Sequence, residues 1–347
     1  MPLKILIRAP NHLGDCIMAL PMINETREAY PGAAVTLLAP DYLAQLFERN
    51  PGIDETIGLP AGHLHGLIAV MKIRELIARR HFDIGYILPP SFGAAAAFKL
   101  GGVKDRIGYV SDGRRLLLSR PMVLPTPLNT EHRSMLYFNL LRRASGKSLE
   151  FGRPKLFLDD SDVRAGDEAL APFCIGRQEP YAVVAFRAVA ESRRWGTDNY
   201  IALVKAIVSG YRLKVVLIGG AQDQREGETI SSSAGTKEVC NLAGKTSLRQ
   251  TAVILSLGRF FVGNDSGPAH LAAAVGTPLV VLSGADDPGA TSPLAAVKRL
   301  VRLDHLDCIS CEKNRCPLGG DRRMQCMKGI TVPMVIEEIE NLLRPRD

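Results

Sequence analysis

Short, almost wholly apolar runs recur along this chain, separated by longer runs with helical character. In the first half they are LKILIRA (3–9), AAVTLLAP (33–40) and FDIGYILPP (82–90). In the second half they are YAVVAFRA (181–188), KVVLIGG (214–220), FFVGND (260–265) and PLVVLSG (278–284). A strand that is apolar at successive positions has no face to give to water. It belongs inside a parallel sheet whose two faces are covered by helices, and the intervening helical runs supply that cover. The pattern predicts an α/β protein made of two such halves. Ligands of these sheets sit outside the carboxyl ends of the strands, often between domains. Chemistry is therefore expected in the loops that follow the apolar runs, with the site in a cleft between the halves.

A length of 347 residues suits two domains. DCIMALPMINETREAY (15–30), the Ala-rich run from Phe92 to Leu100, the run from His132 to Arg143, that from Tyr200 to Tyr211 and PMVIEEIENLL (333–343) read as helices. The Gly- and Arg-rich stretch 106–125 reads as loops and short edge strands. In FGRPKLFLDDSDVRAGDEAL a Pro, an acidic cluster and a capping-like Asp before a helix interrupt the pattern. This places an N-terminal domain at 1–160, a linker at 161–178 and a C-terminal domain at 179–347. The last helix could pack back on the N-terminal domain.

Hydrophobic residues make up 46% and charged residues 23%, enough to bury a core in each half. The formal charge of +7 suits nucleic acid, an anionic surface or an anionic substrate. The Lys and Arg are dispersed and no nucleic-acid-binding signature is present, so nucleic acid is not an expected partner. The N-terminal apolar run is too short for a signal core, and no stretch approaches the ~20 residues that span a bilayer. The expectation is a cytoplasmic protein, with peripheral contact at the inner face of the cytoplasmic membrane left open. Of seven cysteines, Cys308, Cys311, Cys316 and Cys326 cluster near the C-terminus. In a reducing compartment they read as free thiols or a structural zinc site before disulfides. No G-x-G-x-x-G or G-x4-G-K-[ST] follows a strand, which counts against dehydrogenases and P-loop kinases.

Three loops carry chemistry. In FFVGNDSGPAHLAAAVGTPLVVLSG (260–284) a strand ends at Asn264-Asp265, Ser266 can cap a helix, Pro268 suits its first turn and Gly276 stops it. The N–H groups of 266–269 would then face an anion such as a pyrophosphate. The plainer alternative is a well-capped strand–helix corner. In ESRRWGTDNY (191–200), Arg193 and Arg194 can clamp phosphate oxygens, or form a solvated pair beside a core-anchored Trp195. In PNHLGDCIMALP (10–21) a turn with Gly14 leads to a helix near Asp15. The helix dipole favours an ionised carboxylate there, which a general base requires and a simple cap also provides.

In order and spacing, LIRAPNHLGDCIMALP, DRIGY, SRRW, NLAGKTSL (241–248), NDSGPAHLAAAVGTP and GADDPGATSPL (284–294) resemble the ADP-heptose–lipopolysaccharide heptosyltransferases of glycosyltransferase family 9. The resemblance spans nearly the whole chain and leans toward the heptosyltransferase II branch. It implies a GT-B fold: two Rossmann-like domains facing each other across a cleft, the N-terminal one for the lipopolysaccharide-core acceptor and the C-terminal one for ADP-heptose. It implies an inverting transfer of heptose from ADP-L-glycero-D-manno-heptose to the lipopolysaccharide inner core, the second heptose favoured. Asp15 matches the family's catalytic base. Arg193 stands where the family usually has a phosphate-binding Lys, with Arg194 beside it. Lys245 and Thr246 match the nucleotide-side segment, and Asp265, Ser266, Gly267 and His270 match the donor-binding turn.

Two departures stand out. FRAVAESRRW puts Arg187 and Val189 in a loop of Pro-Gly-Ala type in the family. Arg for Lys at 193 keeps the charge but changes the shape. On the acceptor side, His12 and the loop arginines Arg106, Arg114, Arg115 and Arg120 suit a partner rich in carboxylates and phosphates. The helix N-terminus at 266–269 and Arg193 would stabilise the departing diphosphate, so no cofactor is expected for the chemistry. Two alternatives remain: a GT-B transferase with another sugar nucleotide or acceptor, and a non-catalytic nucleotide- or metal-binding protein of envelope assembly.

Overall fold

The apolar runs form parallel strands, six in each of two sheets. The computed structural model describes residues 2–125, 130–177 and 179–344. The chain divides into two compact units, Met1–Phe157 and Leu158–Asp347.

The first unit holds β1 (Lys4–Arg8), β2 (Ala34–Pro40), β3 (Glu55–Leu59), β4 (Ile84–Ile87), β5 (Asp105–Tyr109) and β6 (Arg120–Met122). Their order is β3-β2-β1-β4-β5-β6. Near the centre, Ile5 of β1 pairs with Val35 on one side and Ile84 on the other. Ile5, Leu6 and Ile7 are wholly buried. Each such side chain contributes about 1.5–3 kcal/mol on burial. The stretch 106–125 provides most of β5, the edge strand β6 and a short 3-10 turn, Arg114–Leu117, between them. The run 15–30 is two helices, Leu13–Met18 and Leu20–Ala29. Pro21 explains the break: it has no N–H for the ladder, so the second helix starts at its own first turn.

The second unit holds β7 (Tyr181–Ala185), β8 (Lys214–Ile218), β9 (Val239–Asn241), β10 (Phe260–Asn264), β11 (Leu279–Leu282) and β12 (Lys298–Val301). Their order, β12-β11-β10-β7-β8-β9, is the same winding as in the first unit. Strand order reverses between β1 and β4, and again between β7 and β10. These switch points are where ligands of doubly wound sheets bind.

Most of the stretch read as a linker is a helix, Asp160–Leu170, that belongs to the second unit; its last position, 178, lies outside the described residues. Asp159 and Asp162 form a capping box at its start. Asp162 also accepts from Arg249 Nε at 2.6 Å, buried, on the helix Leu248–Leu257. Gly166 permits the close approach of the two helices, since a Cβ there would lie 2.4 Å from Val253 Cγ1. The acidic residues that looked like linker thus include a buried ion-pair partner. The last helix, Val332–Leu343, buries Val335, Ile339 and Leu342, an i, i+4, i+7 stripe. It packs on β11, β12 and the helix Thr197–Tyr211 of its own unit. Among the described residues no helix is long and apolar enough to cross a membrane.

Candidate active site

In the first unit, β1 ends at Arg8, and the loop that follows is held tightly. Arg8 is 2% exposed. Its guanidinium donates to Asn11 Oδ1 at 2.5 Å and to the Ala9 carbonyl. Burial lowers its pKa to about 10, so it stays cationic at neutral pH. The Tyr42 hydroxyl donates to the Asn11 carbonyl, and the buried Cys16 thiol to that of Pro10 at 3.1 Å. Burial pushes this thiol far up, so Cys16 is a packing residue. His12 is the extended N-cap of the helix Leu13–Met18 and makes no side-chain cap bond. Asp15 therefore sits in the first turn of a helix with a fixed entry. Its carboxylate accepts from Arg133 Nη1 at 3.1 Å and remains partly open to solvent. Arg8 and Arg133, which hold this loop and Asp15, are residues that the sequence did not single out. The visible signal for Arg8 was a cation directly after the apolar run Ile5–Ile7.

The acceptor-side arginines separate. Arg114 is 1% exposed, and its guanidinium is spent on the carbonyls of Tyr109, at 2.9 Å, and Pro89. It is a buried structural cation, not part of an accessible basic loop. Arg106 donates to the carbonyls of Leu117, Val103 and Lys104. Arg120 pairs with Asp105 at 2.6 Å and bonds the Ala144 carbonyl. Arg115 is the exposed member.

In the second unit, three loops follow the carboxyl ends of adjacent strands. After β7, Arg193 lies in a short 3-10 turn and pairs with Asp286 at 2.5 Å. Arg194 instead donates to the carbonyls of Ala188 and Val189, bracing its own loop. Trp195 is buried and donates to the Ile330 carbonyl at 2.8 Å, the role of a core anchor. Arg187 pairs with Glu226 at 2.6 Å, while Val189 is 92% exposed. After β10 comes the turn Asp265-Ser266 and the helix Gly267–Ala274. Ser266 is the N-cap by its carbonyl, which accepts from Ala269 and His270, and its hydroxyl donates back to Asn264. Pro268 has no N–H and that of Ala269 is used. The N–H groups of Ser266 and Gly267 are left without a protein partner among the described residues, fewer than the run 266–269 promised.

Asp265 is buried, with His270 Nε2 at 3.8 Å from its Oδ1. Burial raises the carboxyls of Asp265 and Asp286, and the charge of Asp286 raises that of Asp265 further. Lys298, whose own pKa burial lowers, faces Asp265 electrostatically and donates to Ser292 Oγ at 2.8 Å. The buried polar atoms here without a protein partner include Arg193 Nε, Asp265 Oδ2, Ser283 Oγ, Asp286 Oδ2 and the side-chain amide of Asn264 at the end of β10. Leaving such an atom unpaired costs about 1–3 kcal/mol. A cluster of them at the ends of β7, β10 and β11 is built for a polar ligand. Asp286 and Lys298 escaped notice in the sequence. The sole sign of Asp286 was the first aspartate of GADDPG, in the loop after β11.

After β9, Lys245 pairs with Glu228 at 3.1 Å and bonds the Asn241 carbonyl. Thr246 bonds Thr251 across the start of the helix Leu248–Leu257, which Ser247 and Gln250 cap reciprocally. Cys308, Cys311, Cys316 and Cys326 are free thiols that line one cavity of about 60 Å³. Among the described residues no group of three or more His, Cys, Asp or Glu side chains is already arranged to hold a metal.

Residues 70–320 match glycosyltransferase family 9 (heptosyltransferase). The chain is 30% identical to lipopolysaccharide heptosyltransferase 2 of Escherichia coli K12, covering 98% of this chain and 99% of that protein. It is equally similar, at 30%, to the protein of that name from Salmonella typhimurium, again over 98% and 99%. The solved structure of E. coli ADP-heptose LPS heptosyltransferase II superposes with a TM-score of 0.81 at 27% identity, covering 98% of each chain. A family 9 glycosyltransferase from Veillonella parvula superposes at 0.84 with 21% identity, over 98% of this chain and 97% of that one. The fold is therefore the GT-B type of the heptosyltransferases, and the chain belongs to glycosyltransferase family 9, the heptosyltransferases.

Proposed function

We propose that this glycosyltransferase moves heptose from ADP-L-glycero-D-manno-heptose to the inner core of lipopolysaccharide, adding the second heptose with inversion. The observation that carries this reading is the full-length likeness to heptosyltransferase 2, which spans both units. In the proposed reaction the Asp15 carboxylate takes the proton of the acceptor hydroxyl. That oxygen forms its bond to the anomeric carbon as the sugar–phosphate bond breaks, and the electron pair leaves on the diphosphate of ADP. Arg193, Lys245 and the N–H groups of Ser266 and Gly267 stabilise that growing charge. Thr246 supports the nucleotide side, and Asp265 and His270 hold the sugar. Arg194 shapes the loop that carries Arg193. Arg133 orients Asp15, and His12 and Arg115 meet the acceptor. These residues supply the charge stabilisation themselves, and no cofactor enters the scheme.

We also infer peripheral contact with the inner face of the cytoplasmic membrane, and no nucleic-acid partner. The helix Gly66–Ile77 exposes Leu67, Ile68 and Met71, and its packing neighbour Phe92–Leu100 exposes Phe92. Large apolar side chains gathered on two neighbouring helices suit an interfacial surface.

The test is ADP release from ADP-heptose, with and without inner-core lipopolysaccharide carrying one heptose. Acceptor-dependent release that Asp15→Asn abolishes supports both the reaction and the base. ADP binding without turnover on this acceptor would overturn the acceptor assignment and keep the nucleotide site.

A further inference from the structure

The C-terminal lobe between β12 and the last helix has little regular structure and few buried apolar residues. Within 302–329 only a 3-10 turn, Gly320–Arg322, and one helical turn, Gln325–Lys328, are present. Three non-glycine residues, Ser310, Glu312 and Met324, hold left-handed φ values of 57°, 54° and 55°. A small irregular lobe of this kind usually needs a staple. The four clustered cysteines all line one cavity of this lobe. Cys326 is buried on the helical turn, while Cys308, Cys311 and Cys316 sit half-buried on irregular backbone. The Met324 N–H already donates to Cys316 Sγ at 3.3 Å, the kind of bond that stabilises sulfur carrying negative charge.

This lobe lies directly on the two loops of the candidate site. The Ser192 N–H donates to the Asn314 carbonyl at 3.2 Å, and its hydroxyl to that of Lys313. Ser192 also lines the thiol cavity, one residue before Arg193. The Ser310 and Glu312 N–H groups donate to the carbonyls of Gly284 and Ala285 at 3.1 and 2.7 Å. Arg302 and the Ser310 hydroxyl both donate to the Asp286 carbonyl. Gly284 permits close packing on the buried thiol: a Cβ there would stand 3.0 Å from Cys326 Sγ.

We propose that Cys308, Cys311, Cys316 and Cys326 bind one soft divalent cation, zinc or iron, and that the bound ion braces the loops bearing Arg193 and Asp286. Four sulfur ligands, with the first two in C-x2-C spacing, match tetrahedral zinc or iron. The thiols are not gathered into a coordination set as they stand. The three on irregular backbone close onto Cys326, each thiol giving its proton to solvent as its sulfur becomes a thiolate. The ion is structural and takes no part in sugar transfer. The metal site is independent of the proposed function; only the importance of the bracing rests on it.

The experiment starts with the full chain purified under reducing conditions without chelator. Zinc and iron are counted by elemental analysis, which also separates the two. One ion per chain is expected, protecting the four thiols from Ellman's reagent, and Cys311→Ser with Cys316→Ser loses it. Substoichiometric metal after zinc addition, with all four thiols reacting alike with and without it, overturns the site even if the double variant fails to fold. Hydrogen exchange of the wild type before and after metal removal reads the bracing. Faster exchange at Ser192, Ser310 and Glu312, with β7 and β10 unchanged, is expected. Bound ion with unchanged exchange at those three amides overturns the bracing and leaves the site. Neither readout uses transferase activity, so failure here and failure of the proposed reaction are distinguishable.

Discussion

The two units wind their sheets in the same order, yet they treat charge at the switch point in opposite ways. In the first unit, the charged groups after β1 are tied to protein partners, and of the Arg8 guanidinium only Nε is buried without one. Arg8 is bonded to its own loop, and Asp15 is held by Arg133 but reachable from solvent. After β4, Ser91 caps the helix Phe92–Leu100, which carries a single charge, Lys99. In the second unit, the ends of β7, β10 and β11 gather Arg193, Asp265, Ser283 and Asp286, each with a buried atom that lacks a protein partner. One topology thus carries two kinds of site. An accessible, positioned carboxylate suits proton transfer with a bulky acceptor. A buried set of unsatisfied polar groups suits a ligand that brings its own charge and hydrogen bonds. The proposed division into acceptor and donor units follows from that difference.

Asp15→Asn tests the division with the largest expected effect. Removing a general base costs about 10²–10⁴-fold in turnover. The loss should fall on kcat, while ADP affinity, a property of the second unit, stays at the wild-type value by calorimetry. A parallel loss of ADP affinity would show that Asp15 is not confined to acceptor chemistry. Arg193→Ala should follow, with kcat/KM lowered by roughly 10²-fold, as for loss of one preorganised charge-stabilising donor. Arg193→Lys should recover part of it, because an ammonium keeps the charge without the two-pronged guanidinium. Arg194→Ala should cost less, since that guanidinium holds carbonyls of its own loop. Equal losses at 193 and 194 would mean that the loop's shape, not the charge at 193, is what matters.

These contrasts were only partly legible in the sequence. The strands could be read because their signal is local: successive apolar residues between turn residues need no distant partner to be recognised. The turn after β10 was legible for the same reason, with cap, proline and histidine inside one short segment. Asp286 was not, because its meaning comes from Arg193, on a loop after another strand. Asp162 misled in the same way: in an acidic run it reads as linker, and only the Arg249 pairing makes it part of a packed helix. Arg114 shows the converse error. A Gly- and Arg-rich stretch reads as an exposed basic loop, whereas the fold turns that side chain inward to bind carbonyls.

Arg114→Ala would sharpen the acceptor side of the comparison. It leaves the buried Tyr109 and Pro89 carbonyls without that donor, and unfolding stability should fall by about 1–3 kcal/mol, read from urea midpoints. The acceptor KM should not change. Arg115→Ala should do the reverse, raising the acceptor KM at unchanged midpoint. An acceptor effect from both would restore the basic loop as one binding surface.

The smallest effect is a change in slope with pH. Burial raises Asp265 to about 7 and Asp286 to about 6, with the charge of Asp286 adding to the first shift and that of Glu312 to the second. In the unfolded chain both titrate near the ordinary value of ~4. Between those limits the folded protein binds more protons than the unfolded chain, so these groups make stability fall as pH rises from ~4 towards 7. Asp83 of the first unit goes the other way: hydrogen bonds from Lys104 and the Lys4 N–H lower its pKa, so its contribution is lost as pH falls. Asp286→Asn removes one raised acid and the charge that lifts the other. The fall in unfolding free energy between pH 5 and 7, read from urea titrations, should then shrink by on the order of 1 kcal/mol for each pKa unit removed. Asp83→Asn should leave that fall intact. If Asp286→Asn also leaves it intact, the second unit's aspartates are already relieved by Arg193 and Lys298, and its switch point is held by internal partners as the carboxylate of Asp15 is by Arg133.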